Sequence, residues 1–148
     1  QLGVYVMKKP IWIAFGYAIA AMACGVFYRE FTKFFDFTGT TTLAVSHVHL
    51  FMLGAVIFLA VALFNSKLQL HQTKLWKPFL IVYNIGLPFM VVMFLVRGIM
   101  QVVGFDGGAM ISGIAGASHI TLGAGIVLFF IMLLQAVGKK QSHKNQAV

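Results

Sequence analysis

Carboxylates are nearly absent from this chain. Its 148 residues include only three acidic side chains, Glu30, Asp36 and Asp106, and no two of them read as the general acid and base of a soluble enzyme. Glycine-rich nucleotide loops and nucleophile motifs are missing as well. The single cysteine, Cys24, excludes a disulfide within one chain and reads as a small packed apolar residue. Charged residues make up 9% of the chain, against roughly 25% in ordinary soluble domains.

Apolar residues take their place, at 60% of the chain with a mean hydropathy of +0.92. Four long apolar runs, at about residues 10–28, 40–64, 78–97 and 109–137, each hold on the order of 20 apolar residues, enough to cross a hydrocarbon layer of ~30 Å. The pattern predicts one all-α domain over residues 1–148, a polytopic membrane protein of four transmembrane helices in an antiparallel bundle. Pro10 suits a helix start. Asn84 and Pro88 are expected to interrupt the third span as a kink stabilised by its neighbours. A cleaved signal peptide is not expected, because the first run is full length and has no clear processing site.

Lysine and arginine placement predicts the orientation. Lys8 and Lys9 precede the first span, Lys67, Lys74 and Lys77 lie between the second and third, and Lys139, Lys140 and Lys144 follow the fourth. Arg29, Lys33 and Arg97 fall on the other side, with Glu30, Asp36 and Asp106. The positive-inside rule then places both termini in the cytoplasm. Membrane orientation also accounts for the net charge of +8 better than nucleic acid does.

Three histidines stand inside these runs: His47 and His49 in Ser46-His47-Val48-His49-Leu50-Phe51, and His119 in Ser118-His119-Ile120. An ionisable side chain at membrane depth is costly and by default marks a functional site. Imidazole binds iron or copper while neutral. Counted from the outer ends of their helices, all three lie about 10 to 15 Å deep at 1.5 Å per residue, in the same half of the bilayer. Residues two apart on a helix point about 200° apart, so His47 and His49 address two compartments. A haem between helices suits this arrangement, because each axial ligand comes from its own helix.

The stretch Ser46-His47-Val48-His49-Leu50, opening a long apolar helix, resembles the His-x-His helix of haem-copper oxidase catalytic subunits. There one histidine ligates each of two haems on opposite sides of the helix. That subunit has twelve spans in three arcs of four, so the resemblance implies that a homotrimer of the present chain would imitate it. No tyrosine adjoins His47 or His49 and no further histidine pair is evident, so a copper centre and oxygen reduction are not expected. The whole chain, through Phe27-Tyr28-Arg29-Glu30-Phe31-Thr32-Lys33 and the His-x-His helix, resembles small four-helix bacterial membrane proteins grouped as a domain of unknown function. That resemblance implies a multi-pass protein of the bacterial cell membrane.

Arg29 and Arg97, at the outer ends of spans one and three, are candidates for haem propionates, since arginine binds carboxylates bidentately. Interfacial anchoring, or pairing of Arg29 with Glu30 or Asp36, is the plainer role. Ser112, Gly113, Ala115, Gly116, Ala117, Ser118, Gly123, Ala124 and Gly125 permit close helix approach and leave room for a flat macrocycle beside His119. Phe51, Phe58, Phe89 and Phe94 fit either a haem pocket or ordinary packing. Met52, Met90, Met93 and Met100 are read as packing. His71 and His143 are read as solvated.

The expected function is a membrane-embedded b-type haem protein, with iron protoporphyrin IX held by His47, His49 or His119. It would serve electron transfer with a quinone or other redox partner, or diatomic gas binding, in a homo-oligomer within the lipid bilayer. The alternative is a small oligomeric transporter or channel whose histidines carry protons or metal ions. A scaffold without cofactor is a third possibility.

Overall fold

Lipid offers the backbone no hydrogen-bond partner, so an apolar run of spanning length must satisfy its own amides as a helix. The computed structural model describes the backbone of residues 2–146 and the side chains of residues 8–141, and is helical with no strand among them. Four helices are long and apolar enough to cross a membrane. They are α1 (Leu2–Phe34), α2 (Leu43–Leu68), α3 (Trp76–Val103) and α4 (Gly108–Gln146). The side chains of His143 and Lys144 lie outside the described residues.

The helices overrun the apolar segments that announce them. Lys8, Lys9, Lys77, Lys139 and Lys140 all lie inside helices, because a long cationic side chain can leave its stem on apolar surface and carry its charge to water. α2 instead begins later than its apolar run. Thr41 and Thr42 tie the chain to α3: the Thr41 hydroxyl donates to Gly98 O (3.0 Å) and the Thr42 hydroxyl to Phe94 O (2.8 Å). The Thr42 amide donates to Gln101 Oε1 at 2.8 Å. Gly98 makes this approach possible, since a Cβ there would stand 2.6 Å from the Leu43 nitrogen.

α2 is not uniform. It is α-helical over Leu43–His49, π-helical over Leu50–Val56 and α-helical again over Ile57–Leu68. π-helical turns are rare and concentrate at functional sites. Two neighbours hold this one. Gly54 seats against α1, where a Cβ would lie 2.6 Å from Tyr17 Cβ, and the Leu53 carbonyl accepts the Tyr83 hydroxyl of α3 at 2.7 Å.

Pro88 does not break α3, which is helical throughout Trp76–Val103. Proline has no N–H, so the Asn84 carbonyl loses its usual donor four residues on. The Asn84 side chain is used in turn, donating to Leu80 O and accepting the Tyr17 hydroxyl, both at 2.8 Å.

α3 is the most enclosed span, with 44% of its apolar window buried against 11% for α1, which packs chiefly on α2. Phe58, Phe79, Tyr83, Leu87, Met90 and Met132 form the fully buried centre. α3 and α4 approach backbone to backbone through two glycines. A Cβ at Gly86 would meet Leu122 Cα at 2.8 Å, and one at Gly125 would meet Tyr83 Cα at 3.0 Å. Such contact is how helices associate in lipid, where burial by itself gives little drive. Trp12, Phe15, Val26, Leu63, Ile120 and Leu134 face outward, as a lipid-facing surface requires.

The α2–α3 connection corrects one expectation. His71 is half-buried rather than solvated: its amide and its Nδ1 both lie 2.9 Å from Asn65 Oδ1, fastening the turn to the end of α2. Gln69 ends α2 in the left-handed conformation (φ 52, ψ 48), and its amide donates to Asn65 O.

Candidate functional site

His47 and His49 leave opposite sides of the first turns of α2. His47 lies against α1 at Gly25, where a Cβ would stand 3.7 Å from His47 Cβ. His49 turns to α3, with its ring centroid 4.8 Å from that of Phe94 at an interplanar angle of 65°. From α4, His119 meets the same phenyl ring at 5.6 Å and 73°. One aromatic ring of α3 therefore carries two imidazoles edge-on, one from each flanking helix. The Leu43–His49 segment packs on α1 and α3, whereas α4 meets α2 chiefly along Ile57–Leu68. α2 and α4 thus diverge towards the histidine end, with Phe94 between their bases.

The two imidazoles facing Phe94 share a second property. His49 Nδ1 lies 2.8 Å from Val45 O, and His119 Nδ1 lies 2.8 Å from Ala115 O. A carbonyl can only accept, so Nδ1 carries the proton in each ring, and in the neutral imidazole the lone pair is on Nε2. Metal-ligating histidines are held in the same manner, with the remote N–H donated to a carbonyl or carboxylate so that tautomer and ring orientation are set. Ala115 O also accepts the buried Ser118 hydroxyl at 2.6 Å, which fixes it further. His47 differs. Its Nδ1 is buried and has no hydrogen-bond partner among the described residues.

His119 is exposed, on a face of α4 that it shares by helical register with Ser112, Gly116 and Gly123. A Cβ at Gly113, Gly116 or Gly123 would meet nothing within 4 Å, so these small residues are not spent on packing within the chain. Gly86, Gly98 and Gly125 are, which separates the two uses of small residues that sequence alone had left together.

Residues 7–136 match the family described as "Protein of unknown function (DUF2871)". The chain belongs to this family. The match includes His47, His49 and His119 and reaches into all four helices. No curated protein and no solved structure matches the chain.

The two arginines of this DUF2871 protein divide between the two histidine compartments. Arg97 follows Phe94 by three residues on α3, one turn nearer the helix end, and lines a cleft of about 130 Å³ with Gln101, Asp106 and Ser112. Arg29 follows Gly25 by four residues on α1, so it shares a face with the glycine that receives His47. Both are exposed. The Arg29–Glu30 contact, 3.9 Å between exposed side chains, is of the kind that contributes little to stability.

Among the described residues of the DUF2871 chain, no three His, Cys, Asp or Glu side chains converge as they would around a compact metal ion. A two-ligand, axial arrangement makes a smaller demand. His49 and His119 share the Nδ1–carbonyl contact and the Phe94 neighbour, while His47 stands apart on the α1 side. Of the four phenylalanines considered from sequence, Phe94 joins the histidines and Phe58 belongs to the buried centre with Phe79 and Tyr83. Sequence reasoning missed the π-helical stretch and the Tyr83–Leu53 bond, for which the chain carries no local signal.

Proposed function

We propose that this protein binds a b-type haem in the bacterial cell membrane, which His49 and His119 would hold. The observation that carries the reading is their common state: each donates Nδ1–H to the carbonyl one turn back, leaving Nε2 free, and both pack on one phenyl ring. The donor set fits iron protoporphyrin, which takes two neutral nitrogen ligands from separate helices.

In this reading His49 and His119 would bind and orient the group through Nε2, beside the Phe94 ring that both imidazoles touch. Arg97, one turn towards the helix end, is the nearest arginine on α3 for the propionates. When bound, the group would supply one-electron chemistry at a potential tuned by its axial ligands and surroundings. A quinone or another redox partner would then exchange electrons with it.

The chain is an antiparallel bundle in this proposal, with both termini in the cytoplasm, as the lysine distribution supports. His47, with its unpartnered Nδ1, and Arg29 serve a second compartment on the α1 side, completed in a homo-oligomer. A trimer is the form that the His-x-His resemblance to haem-copper oxidases favours.

Visible spectroscopy of protein purified in mild detergent from haem-replete cells tests the proposal. A Soret band is expected, shifting on reduction, lost in His49→Ala and in His119→Ala, and retained in Phe94→Ala. A colourless, folded wild-type preparation overturns the reading, as does a band that survives both histidine substitutions.

A further inference from the structure

The opposite end of the bundle, away from the histidines, holds a cleft of about 590 Å³ between the end of α2, the α2–α3 turn and the last turns of α4. Lys67, Lys139 and Lys140 line it, together with Gln69, Gln72 and Thr73. Ala136 and Leu68 supply its apolar side. Lys140 is held across it, its ammonium 3.4 Å from the Lys67 carbonyl.

Among the described residues, the charge lining this cleft has no acidic counterpart. The three acidic residues lie at the end of α1 and in the α1–α2 and α3–α4 connections, and none is on a segment that lines the cleft. Among the described residues, the one ion pair is Arg29–Glu30. Three lysines lining one concavity repel each other unless an anion joins them, and among the described residues no carboxylate side chain lines it. The side-chain amides of Gln69 and Gln72 add neutral donors of the kind that phosphate ester oxygens accept. The cleft opens where the apolar spans give way to polar residues, at headgroup level, and basic pockets between transmembrane helices bind anionic headgroups.

We propose that this cleft is a binding site for a phosphate-bearing anion, which in the membrane is the headgroup of an anionic phospholipid. Lys67, Lys139 and Lys140 neutralise the phosphate, Gln69 and Gln72 contact its ester and glycerol oxygens, and Leu68 and Ala136 adjoin the start of the acyl chains. The site is separate from the histidines and does not depend on haem.

Native mass spectrometry of the full chain, delipidated in detergent, tests this with three probes: phosphatidylglycerol, phosphatidylcholine and inorganic phosphate. The expected result is a retained phosphatidylglycerol adduct under conditions that strip phosphatidylcholine. Retention should fall about fivefold for each lysine removed in Lys67→Ala/Lys139→Ala/Lys140→Ala. Lys9→Ala/Lys74→Ala/Lys77→Ala, which removes as much charge outside the cleft, should retain the lipid. If millimolar inorganic phosphate displaces the lipid through the same three lysines, the site stands and its ligand is a soluble phosphate. Equal retention of both lipids, or equal loss in both triple variants, overturns the proposal.

Discussion

Tyr83 of α3 donates its hydroxyl to the Leu53 carbonyl, 2.7 Å away in the π-helical stretch of α2. Tyr83 is 1% exposed and its ring packs edge-on against Phe58. Four residues beyond His49, this bond and the Gly54–Tyr17 contact hold the π-helical turns between α1 and α3. The backbone that follows His49 is therefore set by tertiary contacts.

Removing that hydroxyl isolates its contribution. Tyr83→Phe keeps the ring and its packing, so the expected loss is that of one interhelical hydrogen bond in lipid, about 0.6 to 1.7 kcal/mol. Unfolding in mixed micelles under a rising fraction of denaturing detergent measures it. An unchanged midpoint would show that the bond does not secure α2.

Glycines of the two kinds should respond oppositely. Gly86→Ala forces a Cβ to within 2.8 Å of the Leu122 backbone, and since no side chain can move aside, α3 and α4 must separate. The expected cost is about 1 to 3 kcal/mol. Gly116→Ala meets open space and should be neutral or raise stability by up to about 1 kcal/mol through helix propensity. The same unfolding assay decides, and a destabilised Gly116→Ala variant would mean that another molecule already covers this face.

The imidazole tautomers are directly observable. Nitrogen-15 spectra of histidine-labelled protein prepared without haem should show the neutral rings of His49 and His119 protonated at Nδ1, since a carbonyl faces that atom in each. Assignment comes from single His→Gln variants. An Nε2-protonated ring at either position would remove the preset ligand atom on which the haem reading rests.

Gln69 offers a stabilising substitution. Its backbone is left-handed at φ 52 and ψ 48, a conformation that costs a residue with a Cβ roughly 1 kcal/mol. Gln69→Gly should recover a similar amount at this helix end. A lower midpoint in the micelle assay would show that the Gln69 side chain contributes more than its backbone costs.

Much of the layout was legible before any coordinates. Runs of about 20 apolar residues separated by short segments that hold the charges have one outcome in lipid, and the four helices follow them. The match over residues 7–136 bears out the resemblance to a family of unknown function. His47 and His49 do address different neighbours, Gly25 of α1 and Phe94 of α3, as a two-residue spacing on a helix requires. Helix ends were less legible, because hydropathy marks where lipid stops and a helix continues until its hydrogen bonds do. α2 shows this at Thr41 and Thr42, which bond to α3 instead of extending the helix. His71 was misread because its partner, Asn65, is six residues away across a turn that polarity does not reveal.

Composition and spacing by themselves determined that this chain forms four apolar helices and that its paired histidines diverge. Both follow from backbone hydrogen bonding in lipid and from the pitch of a helix, which are properties of single segments. Only tertiary structure decided that His49 and His119 share Phe94, that α2 widens into π-helical turns, and that three lysines gather around one cleft. Each of these depends on side chains brought together from different helices, and no local pattern along the chain records which helices will meet.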